Sequence, residues 1–397
     1  MTRSLIVWGT SSGAGKSWLA TALCRCAARR GIDVVPFKAQ NMSNNARVVP
    51  GLDGGYGEIG AAQYFQALAA RVSPHVDMNP VLLKPERDTA SQVVLRGQVA
   101  AGLSAMPRRQ RSVQLARVAQ SSFERLARAH KLVVIEGAGA PAEINLANHD
   151  YVNLGAARWA STLGTTAALL VTDIDRGGAF AHLYGTWQLM PDDLRGLIQG
   201  FVLNRFRGDA ALLAPGPAQL QATTGVPLAG ALPMRRDHGL PEEDGLFDLP
   251  RGSGGEVRLR VAVIVTPCIS NLDEFQPLLR VPGLRLIWAR EPGELQGVDW
   301  IVLPGSKQVS GDLAWLRARG LDAAIQLHAA AGRAVLGWQD GNVLGLYAHG
   351  LFESPAVMRA LFGKPVPTLD DAFETLADMV EEHLDRSLLR RLFEGFQ

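Results

Sequence analysis

The stretch SLIVWGTSSGAGKSWLATALCRCAARRG, Ser4 to Gly31, decides the fold. A short apolar run of strand character passes into a Gly/Ser turn, then Lys-Ser, then a helical pattern with Leu19, Leu23 and Cys26 on one stripe and Gly31 as its stop. In that order the backbone N–H groups of Gly13 to Lys16 can wrap a triphosphate, and the helix N-terminus adds partial positive charge. Lys16 is expected to neutralise the β and γ oxygens of ATP, and the Ser17 hydroxyl to ligate Mg2+. Thr10, Gly13, Gly15, Lys16 and Ser17 are the candidate nucleotide contacts. The spacing departs from the usual phosphate loop at one place: glycine is expected at position 10, where Thr10 stands, and Gly9 comes one residue early. Cys24 and Cys26 fall within the helical pattern and read as packing residues.

Outward from this stretch, apolar runs recur with helix-like segments between them: VVPFKA, KLVVIEGAG, AALLVTDID, IQGFVLNRF and PLAGALPM. Such β-α alternation predicts a parallel sheet covered by helices on both faces. RGSGGE, 251 to 256, reads as part of a linker, after which RVAVIVTP, LRLIWA, DWIVLPGS and RAVLG begin a second alternating series. The expected division is an α/β phosphate-loop domain over 1–235, a linker over 236–257 and a second α/β domain over 258–397.

A phosphate-loop domain needs an acid at the end of a neighbouring strand, and KLVVIEGAG supplies Glu136, the best candidate to hold Mg2+ or its water shell. VTDIDRGG repeats the arrangement with Asp173 and Asp175 ahead of Arg176. Paired carboxylates beside an arginine suit metal and developing phosphoryl charge, and they equally suit an Asp-Arg salt bridge. Asn204 ends the strand FVLN, where its amide can read an adenine edge.

The 397 residues carry a net charge of +2 without a dense Lys/Arg block, so nothing points to nucleic acid or an anionic membrane surface, and a small-molecule substrate is expected. Three cysteines make neither a disulfide framework nor a zinc set, which suits a reducing cytoplasm. No run approaches the roughly 18 apolar residues of a membrane helix, and the N-terminal run is too short for a signal sequence.

Taken with KAQNMSNNA, DGGYGEIGAAQ at 53–63, VDMNPVLLKPERD at 76–88, FVLNRFRGD, LPGSKQVSGDLAWLR and LYAHGLFESP, these motifs resemble the cobyric acid synthase family, ATP-dependent amidases related to dethiobiotin synthetase. The resemblance covers both halves of the chain. It implies amidation of peripheral carboxylates of a corrinoid, adenosylcobyrinic acid a,c-diamide, through acyl phosphates that ammonia displaces, in cobalamin biosynthesis. It also implies that Glu58 joins the metal site and that Lys84 pairs with a substrate carboxylate or the transferring phosphoryl group. Lys16, Asp173, Asp175 and Lys84 become the candidate catalytic residues of the first domain. The assembly is expected to be a monomer or a homo-oligomer.

The second domain resembles a class I glutamine amidotransferase, in which a strand runs into a sharp turn carrying a Cys nucleophile. In GRAVLGWQDGNVLG, Gly332 to Gly345, Gly337 is followed by Trp338, and the family pattern Gly-Ile-Cys-Gly-Gly is absent. The stretch reads as a deletion junction. His349, in LYAHGLFE, matches the family's catalytic base and has no nucleophile to activate, so free ammonia, rather than glutamine, is the expected nitrogen donor. Alternative readings are the related cobyrinic acid a,c-diamide synthase, a non-catalytic binder, and a partition-type ATPase. The last carries an extra loop lysine where this chain has Ser11.

Overall fold

A computed structural model describes residues 2–87, 90–104, 106, 108–235, 240, 256–269, 272–306, 308–332, 334–336, 343–344, 351–363 and 367–394. The chain forms two compact units, one of Met1–Leu240 with Asp370–Gln397, the other Pro241–Leu369.

The first unit is built on six strands: β1 (Thr2–Gly9), β2 (Val34–Phe37), β3 (Leu132–Glu136), β4 (Gly164–Asp173), β5 (Ile198–Phe206) and β6 (Leu228–Pro233). They lie in the order β6-β5-β4-β1-β3-β2, and every neighbouring pair is parallel. The apolar runs are continuous because both faces of the sheet are covered, and Leu5 to Trp8 and Leu132 to Ile135 are almost fully buried. Glu136, Asp173, Asp175 and Asn204 stand at, near or just beyond the C-terminal ends of these strands, where open α/β sheets bind ligands.

Helix α1 (Lys16–Arg29) follows the loop after β1, and α2 (Ala61–Ala69) packs beside it. Two further helices, α3 (Leu369–His383) and α4 (Arg386–Glu394), come from the C-terminal end of the chain. Their apolar stripes, Phe373, Leu376 and Val380 on α3 and Leu388, Leu392 and Phe393 on α4, are buried. Glu374 of α3 accepts hydrogen bonds from Arg25 and Arg29 of α1 and from Arg71 just after α2. The fully buried Arg25 also pairs with Asp370. The second unit was expected to run to residue 397; instead residues 370–397 belong with the first. The reason is physical: four arginines of the first unit, Arg25, Arg29, Arg30 and Arg71, meet the acidic stripe Asp370, Glu374, Asp378 and Glu381.

The second unit carries strands β7 (Leu259–Ile264), β8 (Leu284–Ala289), β9 (Trp300–Val302), β10 (Ala334–Leu336) and β11 (Val343–Leu344) in the order β8-β7-β9-β10-β11, all parallel. One link in it is unusual. β10 and β11 are parallel neighbours, Val335 beside Val343 and Leu336 beside Leu344, yet only residues 337 to 342 lie between them. A parallel crossover ordinarily needs about a dozen residues or more. Residues 337–342, and with them the Gly337 junction, lie outside the described residues, as does His349.

Candidate nucleotide site

The loop Thr10 to Gly15 leaves β1, which lies between β4 and β3. Its start is pinned to β4, with Thr10 N–H donating to the Val171 carbonyl at 3.0 Å and the hydroxyls of Thr10 and Thr172 2.8 Å apart. Gly15 has φ of +103°, and a Cβ there would collide with Asn204 Nδ2, so only glycine serves at this position. Asn204 Nδ2 donates to the Ala14 carbonyl at 3.0 Å. In this structure Asn204 therefore braces the loop from behind.

Lys16 opens α1 and folds its side chain back across Gly9. Its ammonium donates to the carbonyls of Ser11 at 2.8 Å and Gly139 at 2.9 Å, tying the phosphate loop to the glycine turn that follows Glu136. Asn153 holds that turn from the other side, accepting from Ala138 N–H at 3.0 Å and donating to its carbonyl at 2.8 Å.

Glu136 is the centre of the site. The carboxylate is 1% exposed and receives Ser17 Oγ at 2.7 Å, Lys38 Nζ at 2.7 Å, Gln66 Nε2 at 2.6 Å and Gln63 Nε2 at 3.2 Å. Burial pushes its pKa up, but the Lys38 ammonium and the hydrogen bonds from Lys38, Ser17 and Gln66 outweigh burial, and the group is held below the usual glutamate value. Ser17 and Glu136 were expected together and are together. Lys38, Gln63 and Gln66 were not among the candidates. The signal for Lys38 was its place one residue past the strand VVPF: β2 pairs with β3 in the register Phe37 to Ile135, so the next residue on each strand brings Lys38 beside Glu136. Gln63 and Gln66 are three apart on α2 and so share one helix face.

Asp173 ends β4 with its side chain 2% exposed. Its Oδ1 accepts from Asp175 N–H at 3.0 Å, and its Oδ2 faces Arg205 at 2.8 Å and Arg176 at 3.3 Å. Asp175 pairs with Arg207. The salt bridge weighed above for Asp173 and Arg176 is thus present, joined by two arginines from the strand end after Asn204. Glu58 and Lys84 form an ion pair with each other. The two thiols on α1 are buried, as packing residues should be.

Residues 5–246 match the family model of the CobQ/CobB/MinD/ParA nucleotide binding domain, and residues 260–338 that of the CobB/CobQ-like glutamine amidotransferase domain. The cobyric acid synthase of Variovorax paradoxus is 51% identical over 484 residues, covering 98% of this chain and 99% of the relative. That of Paracidovorax citrulli is also 51% identical over 484 residues, with 97% and 98% covered, and that of Leptothrix cholodnii 49% identical over 506 residues, with 100% and 98% covered. The chain belongs to the cobyric acid synthase family. Its members are ATP-dependent ligases with a glutamine amidotransferase domain, and the nucleotide-binding match takes in every site residue named above except His349. Among the described residues no helix is long and apolar enough to cross a membrane.

The first-unit site fits the nucleotide that this family uses. The loop offers backbone N–H groups and Lys16, and the two residues best suited to a hard divalent cation, Ser17 and Glu136, already stand oxygen to oxygen at 2.7 Å. Magnesium takes few protein ligands and fills its shell with phosphate oxygens and water, so one hydroxyl and one buried carboxylate are an adequate set.

Proposed function

We propose that this chain catalyses the ATP-dependent amidation of peripheral carboxylates of adenosylcobyrinic acid a,c-diamide in cobalamin biosynthesis, with free ammonia as nitrogen donor. The observation that carries the reading is the arrangement of Lys16, Ser17, Glu136 and Lys38 around one phosphate loop in a chain of this family. ATP phosphorylates a substrate carboxylate, giving ADP and an acyl phosphate; ammonia attacks the acyl carbon, phosphate leaves, and the amide remains. Lys16 neutralises phosphate oxygens, and Ser17 with Glu136 would hold Mg2+, which would supply further neutralisation of phosphate charge. Lys38 balances Glu136 within the protein. Lys84, displaced from Glu58, pairs with a substrate carboxylate, and Asp173 and Asp175 order the arginines at the rim. Three free cysteines support placing the reaction in the cytoplasm.

The ammonia assignment rests on the second unit. Three observations support a lost nucleophile segment: the short link between parallel strands β10 and β11, the end of the amidotransferase match at residue 338, and the alignment itself. That alignment has 484 positions, of which 98% of a 397-residue chain supplies about 389, leaving about 95 positions of the relative without a counterpart. His349 is then a base without a thiol.

Product mass tests both halves of the proposal. With ATP, Mg2+ and the a,c-diamide, ammonium is expected to give amidated corrinoid, and glutamine in place of ammonium is expected to give none. Turnover with glutamine would mean that the second unit still hydrolyses it. No product with ammonium, under conditions where ATP binds, would remove the synthetase reading.

A further inference from the structure

Arg176 stands at the rim of the phosphate loop. A Cβ on Gly13 would lie 3.2 Å from Arg176 Nη2, so the guanidinium stands close over the middle of the loop, and glycine there leaves it room. The ion pair of Arg176 is with Asp173, at 3.3 Å from Nε to Oδ2. Asp173 does not depend on it, because Arg205 reaches the same oxygen at 2.8 Å and Asp175 N–H the other at 3.0 Å. The two partners also differ in depth. The Asp173 side chain is 2% exposed and that of Arg176 is 61% exposed. A guanidinium that can leave its carboxylate without orphaning it, and that rests against a cradle of backbone N–H groups, suits an anion that arrives there. The position along the loop tells which phosphate. Lys16, whose ammonium serves the β and γ oxygens, points at the Ser11 carbonyl, two residues before Gly13, so the start of the loop is the terminal-phosphate end.

We propose that Arg176 is a catalytic residue that swings from Asp173 to the terminal phosphate of ATP while Arg205 keeps Asp173 paired. The proposal rests on the reading of this loop as the ATP site. During phosphoryl transfer a forked cation on that phosphate holds charge that develops on its oxygens, and no bond to the arginine forms or breaks.

Calorimetric titration of ATP and ADP into the full chain, as wild type, Arg176→Gln and Arg176→Lys, tests it. In Arg176→Gln the Kd for ATP is expected to rise about ten- to hundredfold, the loss of a charged hydrogen bond. The Kd for ADP is expected to stay within about twofold, as for a surface change. Arg176→Lys keeps the charge without the fork, and its ATP affinity is expected to fall between the two. Arg158→Gln, which breaks an exposed pair with Asp193, serves as the control and is expected to change neither. Equal losses for ATP and ADP, or no loss, would overturn the proposal while leaving the ATP site standing. Failure of the wild type to bind ATP would overturn both. Since Arg176 is exposed, the variants are expected to melt with the wild type; were Arg176→Gln to melt early, the ATP-to-ADP ratio of Arg176→Lys decides.

Discussion

Glu136 and Asp173 both end apolar strands, both are followed within a few residues by glycines, and both are almost fully buried, yet they are held in opposite ways. Glu136 draws its donors from inside: Lys38, Gln63 and Gln66 are themselves buried, and only Ser17 opens toward the loop. Asp173 draws its cations from the rim, from two arginines whose side chains are 40% and 61% exposed. The difference comes from the sheet order. β3 lies between β1 and β2, and α2 presents its two glutamines to the strand end, whereas the partners of Asp173 come from the loops after β4 and β5. The inner acid is a fixed point of the fold, and the outer one is a mooring whose lines can be released.

The largest effect is expected at the inner acid. Lys38→Met leaves the Glu136 carboxylate buried without its cation, and breaking a buried pair in this way costs about 3–5 kcal/mol. A denaturant melt of the variant should show that loss in the midpoint with the slope unchanged. A fall below about 1 kcal/mol would mean that Gln63, Gln66 and Ser17 suffice to hold the charge, and the contrast with Asp173 would weaken.

The sign of the pH response follows from the same group. The folded-state pKa of Glu136 lies below 4.5, its ordinary value, so its stabilising contribution is present above pH 4.5 and is lost as the pH falls through the folded value. The melting temperatures of the wild type and Glu136→Gln should therefore be furthest apart near neutrality and converge in acid below pH 4.5. A gap that widens in acid would reverse the sign and remove the depressed carboxylate.

Smaller effects are expected at the rim. Asp173→Asn removes a buried charge that two arginines reach, but both arginines return to water, and a loss of about 1–3 kcal/mol is expected. Asp175→Asn breaks a half-exposed pair with Arg207 and is expected to change stability by 1 kcal/mol or less. An order reversed between these two, in paired chemical melts, would mean that the outer pair carries the rim.

What was legible in the sequence follows the same division. Phosphate loop, parallel strands and the acids at their ends are local patterns of apolar runs followed by turns, and they could be read residue by residue. Lys38, Gln63 and Gln66 could not, because their role depends on the register of β2 against β3 and on which face α2 turns inward. Glu58 and Lys84 were each legible as a charge, and their mutual pairing was not. The return of the C-terminal helices to the first unit was not legible either, because it depends on arginines more than three hundred residues away in the chain. Local chemistry survives in sequence; partners set by topology do not.

The smallest effect needs no substitution. Cys24 and Cys26 are both buried on α1, which is enclosed on nearly all sides over Leu19 to Ala27, and burial pushes the Cys26 thiol up to about 12. Burial raises Cys24 as well, and its neighbours Cys26 and Glu136 disfavour a thiolate there further. Both thiols are thus protonated and enclosed at pH 8, while Cys268 is partly open to solvent. A colorimetric thiol reagent should titrate one group per native chain promptly and all three in denaturant. Lys38→Met leaves both thiols of α1 enclosed, so its native count should stay at one. Two or three prompt groups in the native wild type would show α1 opening on the time scale of the reagent, and Glu136 could then not be the closed inner acid that sets it apart from Asp173.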